Sequence, residues 1–235
     1  MRTTLPAFLI AATLAVPANA GTRNYGVSGF EKVRVDGPFR VHVTTGVPPS
    51  AQATGPDDAI DKVAMDVQGT TLIVHINQSS WGGYPGAGTS GPVEITIGTH
   101  ELSSAALNGS GSLDINKVEG LKFDLAVQGS GGANIGNADV DQLRVTVIGT
   151  ANASLSGRAG KMTAIVRGVS TLNAAALNTK DATIGAEGAA TVTAQVTNEA
   201  AIDGTGTATI TVSGAPSCTV RASGSATVNG CKTPQ

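Results

Sequence analysis

The residues best suited to recognition chemistry lie in one stretch. Residues 79–91 read SSWGGYPGAGTSG and hold the only tryptophan, Trp81, together with Tyr84, one of two tyrosines. Five glycines and a proline surround them, a composition that breaks regular strands and helices. An exposed aromatic pair on such a loop can stack on a sugar or anchor a partner protein. The competing reading is that both rings fold back over the edge of the domain. Trp81 and Tyr84 are the candidate ligand-binding residues.

Other groups carry less. Asp57, Asp58 and Asp61 follow a Gly55-Pro56 turn, and Asp139 and Asp141 flank Val140. Carboxylates two apart can share a calcium ion. Neither group lays out the six or more oxygens of a calcium loop, so turn or helix capping is the simpler reading. His42, His75, His100, Cys218 and Cys231 show no zinc-ligand spacing. No metal site and no cofactor is expected. No serine sits in a G-x-S-x-G elbow, and GSGG at 129–132 lacks the lysine of a phosphate loop. No catalytic residue is assigned and the chain reads as a non-enzyme. Fifteen Lys and Arg against seventeen Asp and Glu, without a basic run, leave no footprint for nucleic acid.

These residues need a scaffold, and its compartment shows first. Arg2, an apolar run over 5–16 and Ala18-Asn19-Ala20 form a signal peptide over 1–20. The run is too short to span a bilayer, and no later run is longer, so no transmembrane anchor is expected in the mature chain. The protein is expected to be exported, to the periplasm, the cell surface or the medium. Two cysteines in an exported chain read as one disulfide, Cys218–Cys231.

Self-similarity then sets the architecture. The frame LNGSGSLDI at Leu107 returns at Val127, Val147, Val166, Ala186, Ile202 and Val220. Its third position is Gly109, Gly129, Gly149, Gly168, Gly188 and Gly204, then Ala222. Positions seven and nine, from Leu113/Ile115 to Ala226/Val228, are all apolar, and the residues between them are polar or glycine. That is the period of a strand with one face inside. A second alternating strand precedes each glycine, as in Leu121, Phe123, Leu125 and Val127. A repeat of about 20 residues cannot bury its own apolar face, but stacked coils can. The expected fold is all-β, a single-stranded parallel β-helix, or solenoid. A flat sandwich is the alternative; its turns would fall at every hairpin rather than on a fixed cycle. Leu113, Ile135, Leu155, Val192, Ile210 and Val228 are expected inside, and Asn134, Asn173 and Thr193 outside. Residues 30–98 read as less regular strands that form the first coils and their cap.

Residues 30–46 (FEKVRVDGPFRVHVTTG), 69–74 (GTTLIV) and 102–111 (LSSAALNGSG) together resemble the putative auto-transporter adhesin head GIN domain family. The similarity runs over about 30–230. It implies a right-handed β-helix of bacterial envelopes, with adhesion in the family's name and no catalytic motif.

The division that follows is a signal peptide over 1–20, a linker over 21–29 and one GIN-type β-helical domain over 30–235. The function expected is a non-catalytic envelope module with an adhesion or binding role, whose partner is an envelope glycan or protein. The alternative is a glycan-active enzyme or lectin-like module that uses the Trp81 loop. Outward Thr-x-Thr rows also raise ice binding, but Asp114, Asn134, Asn152 and Asn173 interrupt them.

Overall fold

The computed structural model describes residues 21–77 and 92–231. Its strands stack in parallel about 20 residues apart, in a β-solenoid of about six turns. The regular part runs through β10 (Val118–Gly129), β11 (Gly132–Gly149), β12 (Asn152–Gly168), β13 (Thr171–Gly188) and β14 (Thr191–Gly206). Each pairs in parallel with the next. The end is built by β15 (Thr209–Ser213), β16 (Ser217–Ala222) and β17 (Thr227–Asn229). The return between two corners is not a separate turn. Pairing continues through it with register shifts, as between Ile135 and Ala138, so bulges bend the chain without ending the ladder.

The corners hold the register. Gly129, Gly149 and Gly168 lie on top of one another at φ +111°, +105° and +90°. A Cβ at Gly149 would sit 2.4 Å from the carbonyl oxygen of Gly129, and one at Gly168 would sit 2.5 Å from that of Gly149. That oxygen also accepts from the next corner: Thr150 N–H donates to Gly129 O at 2.8 Å and Val169 N–H to Gly149 O at 2.8 Å. No other residue meets both the positive φ and the close approach.

Two positions of this glycine column are corrected by the structure. Gly188 stacks on Gly206 (φ +78°), and Gly224 (φ +75°) forms the corner of the last coil, not Gly204 and Ala222. The repeat alignment slips there by two residues. Side chains alternate with period two, so the slip leaves every inward residue inward.

The interior is apolar except for the buried Thr99, Ser170 and Thr179, whose hydroxyls donate to backbone carbonyls. Leu113, Ile135, Leu155, Val192 and Ile210 are fully buried, and Asn134 and Asn173 are exposed. Val228 is only partly buried because its coil is the last and nothing described packs beyond it. Thr193 is half-buried, between Asn173 and Thr211 in its own polar row. Leu121 is 78% exposed rather than inward, because it follows the positive-φ Gly120 at the corner just before the buried face begins at Phe123. Along one column Phe123, Leu143, Met162, Ala182 and Ala200 are stacked, falling in size. In the neighbouring column Ala164 gives way to Ile184 and Ile202. Small residues in one row are offset by large ones in the next, which keeps the core filled.

The first coils are threaded out of sequence order. β2 (Lys32–Asp36) lies between β6 (Thr71–Ile76) and β8 (Ser104–Gly109), parallel to both. β3 (Arg40–Thr45) lies between β7 (Glu94–Thr99) and β9 (Ser112–Ile115). The coil 32–45 is therefore sandwiched by two coils that follow it in the chain. Antiparallel strands close the open end: β5 (Val63–Gln68) on β6, and β4 (Ser50–Gly55) on β7. β1 (Gly21–Tyr25) completes the cap by pairing with β4, so the segment expected as a linker over 21–29 begins as a strand. The short helix α1 (Asp57–Ile60) buries Ala59 and Ile60 beneath this cap.

At the other end Cys218 and Cys231 form a disulfide, with Cα atoms 5.7 Å apart. It joins the start of the last coil to Cys231, two residues past β17. Reduction is expected to loosen residues 217–231 first, with amide exchange rising there while the coils at Gly129 and Gly149 stay protected; uniform loss of protection would contradict this. Glycine substitutions separate strain from crowding. Gly120 has φ +127° but open space beside it. Gly120→Ala should cost only backbone strain, about 1–3 kcal/mol. Gly149→Ala should cost roughly 1–3 kcal/mol more in urea titrations, because the neighbouring corner must shift.

Candidate functional site

Solenoid coils present their outward residues as ladders, one rung per coil. A function needs a place where rungs differ. The largest difference in chain length lies between β6 and β7. In the adjacent coil β2 passes to β3 through Gly37-Pro38-Phe39. Between β6 and β7 the same corner is replaced by residues 77–93. Trp81 and Tyr84 belong to this insertion and lie outside the described residues. Its two ends are fixed: Asn77 N–H donates to Lys62 O at 2.7 Å, and Val93, buried, accepts from Arg40 N–H at 3.1 Å.

The outer face next to the insertion's return is polar and acidic. His42 Nε2 lies 3.1 Å from Glu94 and its Nδ1 lies 3.8 Å from Asp114. These three side chains come from β3, β7 and β9, brought together on one outward face by the out-of-order threading, with Asp114 in register with His42 and Glu94 one step diagonal to it. Strand alternation turns all three outward, but nothing local in the sequence aligns them, because Glu94 belongs to a coil inserted beneath His42. The hydroxyl residues Thr96 and Ser112 share this face, in register with His42 and Arg40 respectively. Among the described residues no group of three or more His, Cys, Asp or Glu has the arrangement of a metal site.

The acidic clusters are engaged within the fold. Asp57 and Asp58 lie in the first turn of α1, where carboxylates favour the exposed N–H groups. The Asp57 carboxylate also lies against Gly21, which leaves no room for a side chain there. Arg23 pairs with Asp61 across the cap. In the other cluster, Arg158 of the next coil grips Asp139 with two bonds, Nε to Oδ1 at 2.5 Å and Nη2 to Oδ2 at 2.8 Å. This fork holds the Asp139 carboxyl below the usual carboxylate range and raises the Arg158 guanidinium. Asp139 is therefore a rung of an ion-pair ladder and is not half of a shared cation site with Asp141.

The Asp139 pair predicts a pH response. A carboxyl whose folded pKa is lowered contributes stability above its unfolded pKa, and that contribution is lost as pH falls through the lowered folded value. NMR titration should find Asp139 protonating below the usual carboxylate range, and Arg158→Ala should move it up. An unchanged Asp139 titration in Arg158→Ala would contradict the assigned cause. The pair is exposed, so little change in melting temperature is expected.

No helix among the described residues is long and apolar enough to cross a membrane. No curated protein matches the chain. Solved structures do. A protein described as a putative adhesin from Bacteroides fragilis superposes with a TM-score of 0.80 at 21% identity, covering 90% of this chain and 97% of that one. A putative lipid binding protein from Parabacteroides distasonis gives 0.70 at 19% identity, covering 92% and 98%. A putative adhesin from Parabacteroides merdae gives 0.69 at 13% identity, covering 92% and 98%. At these identities the likeness establishes a shared fold. The family model described as "Putative auto-transporter adhesin, head GIN domain" matches residues 29–216, most of the chain, and the chain belongs to that family.

Proposed function

We propose that this chain is an exported, non-catalytic binding module of the bacterial cell envelope, and that the insertion carrying Trp81 and Tyr84 is its contact element for an envelope glycan or protein. The observation that carries this reading is the insertion itself. Every described corner of the regular coils turns within a few residues around a stacked glycine. Between β6 and β7 the chain instead runs through residues 77–93, which hold Trp81 and Tyr84. The family and its adhesin-described structural neighbours support an adhesion or binding role. The non-catalytic reading is supported by the adhesin description of the family and of the structural neighbours.

Export is supported by three features: the signal-like residues 1–20, the disulfide, and the fit of Gly21 into the cap. Cleavage after Ala20 would free an α-ammonium beside the Asp57 carboxylate, a favourable pairing for a new N-terminus.

Trp81 is the only tryptophan, so its fluorescence reports on the insertion alone. Emission is expected to be solvent-like and to shift to shorter wavelength on addition of envelope fractions. The Trp81→Ala, Tyr84→Ala double variant should fold normally and lose surface binding. A buried-tryptophan spectrum with undiminished binding by the double variant would overturn the assignment.

A further inference from the structure

A second irregularity lies in the middle of the regular coils. Gly185 occupies an interior position of β13, in line with Ile165 of β12 and Asp203 of β14. Glycine in a strand interior costs stability and removes a packing side chain, and it commonly marks close approach of another backbone or of a ligand. At Gly185 neither backbone conformation nor crowding requires it. Its φ is not positive, and an added Cβ would meet nothing closer than the Ala164 carbonyl oxygen at 3.9 Å. This contrasts with the corner glycines, where a Cβ would collide with the coil below.

The missing side chain opens a notch of about 290 Å³. Two neighbouring columns frame it: Ile165, Gly185 and Asp203 in one, and Arg167, Glu187 and Thr205 in the other. Arg167 Nε and Glu187 Oε2 are 3.0 Å apart. Ile165 gives an apolar wall on one side of the floor, and Asp203 faces it from the coil beyond. Coils stack about 4.8 Å apart. With one side chain absent, the gap between the Ile165 and Asp203 rungs is about twice that, room for one ring set on edge.

We propose that this notch is a saccharide subsite, which takes one neutral sugar ring of a glycan laid across the face. The choice of ligand follows from the balance of groups. A cationic side chain would call for acceptors alone, and an anion for donors alone. Here acceptors (Asp203, Glu187) and donors (Arg167, the Thr205 hydroxyl) alternate around an apolar wall. Hydroxyl groups both donate and accept, and the C–H face of a sugar ring packs on an aliphatic side chain. The subsite deepens the binding role proposed above and rests on it, but it is built on the ladder and is separate from the Trp81 insertion.

The test uses the mature chain labelled with nitrogen-15 and a panel of free glucose, galactose, mannose and N-acetylglucosamine. At least one sugar should shift amide signals at 165–167, 185–187 and 203–205 in a saturable manner. Gly185→Val fills the notch with a residue that favours strands. It should abolish these shifts while leaving the melting temperature unchanged or raised. Asp203→Asn should weaken binding about tenfold, the loss of one charge-assisted hydrogen bond. No saturable shift with any sugar, or shifts that persist in Gly185→Val, would overturn the subsite. So would saturation of the same signals by a lysine-rich peptide and not by sugars, which would mark a protein partner. Envelope binding separates the two readings. If the unaltered chain binds envelope fractions yet shows no sugar shifts, the subsite fails and the binding role stands. If it shows the shifts but binds no envelope material, the subsite stands and the envelope role fails.

Discussion

The architecture depends on one contact, the carbonyl oxygen of each corner glycine pressed against the next corner. Parallel stacking demands that every coil repeat the same backbone path. A corner that bulged by one side chain would push its neighbour away and open the ladder on both flanking faces. The glycines at 129, 149, 168 and 188 solve this by having no Cβ and by tolerating positive φ. The residues just inside the corner are small for the same reason: Gly131, Ala151, Ser170 and Ala190 are all buried there. Once the corners coincide, the strands on either side are in register without further instruction, and the inward columns fall into one continuous core.

This is why so much of the fold was legible in the sequence. A constraint that recurs with every coil writes itself into the chain as a repeat. Alternation then assigned the faces, and the buried Leu113, Ile135 and Leu155 and exposed Asn134 follow directly. The same regularity hid an error. Alternation is blind to a slip of two, so Gly204 fitted the pattern as well as Gly206 does. What distinguishes them is positive φ, a backbone property with no sequence period of its own. The end of the repeat was misjudged for a related reason. Val228 has the right parity for burial, but burial needs a coil on both sides, and parity does not count neighbours.

The N-terminal third was legible as strands and not as topology. Its strands alternate too, though less regularly, in Val33 and Val35 or Ile95 and Ile97. Their order in space does not follow the chain, because coil 71–99 is laid beneath coil 32–45. Nothing local encodes that inversion. It follows from the need to close an open solenoid end, whose unpaired backbone groups would otherwise template association. The chain turns back through β4, α1 and β5 and finishes the end with antiparallel strands, which stop growth of the ladder. The disulfide at the far end ties down the last coil in a different manner, by a covalent link where no folded-back strands are described. The grouping of His42, Glu94 and Asp114 on one face is a by-product of this closure and was invisible for the same reason.

A ladder this uniform leaves function to its exceptions. Where each coil copies the one below, each outward position is a repeated rung, and a row of equivalent rungs cannot distinguish one ligand from another. Specific recognition requires a break in the repetition that the core can tolerate. Two kinds are available: a corner can be lengthened, because it lies at the edge of the stack, or an outward rung can be deleted, because outward side chains do not support the core. The insertion over 77–93 is the first kind and Gly185 is the second. Neither disturbs the columns behind it: Leu72 and Val74 stay fully buried at the base of the insertion, and Ile184 and Ala186 stay buried on either side of Gly185. The separation of an invariant interior from local exceptions outside lets one solenoid carry different specificities without renegotiating its stability.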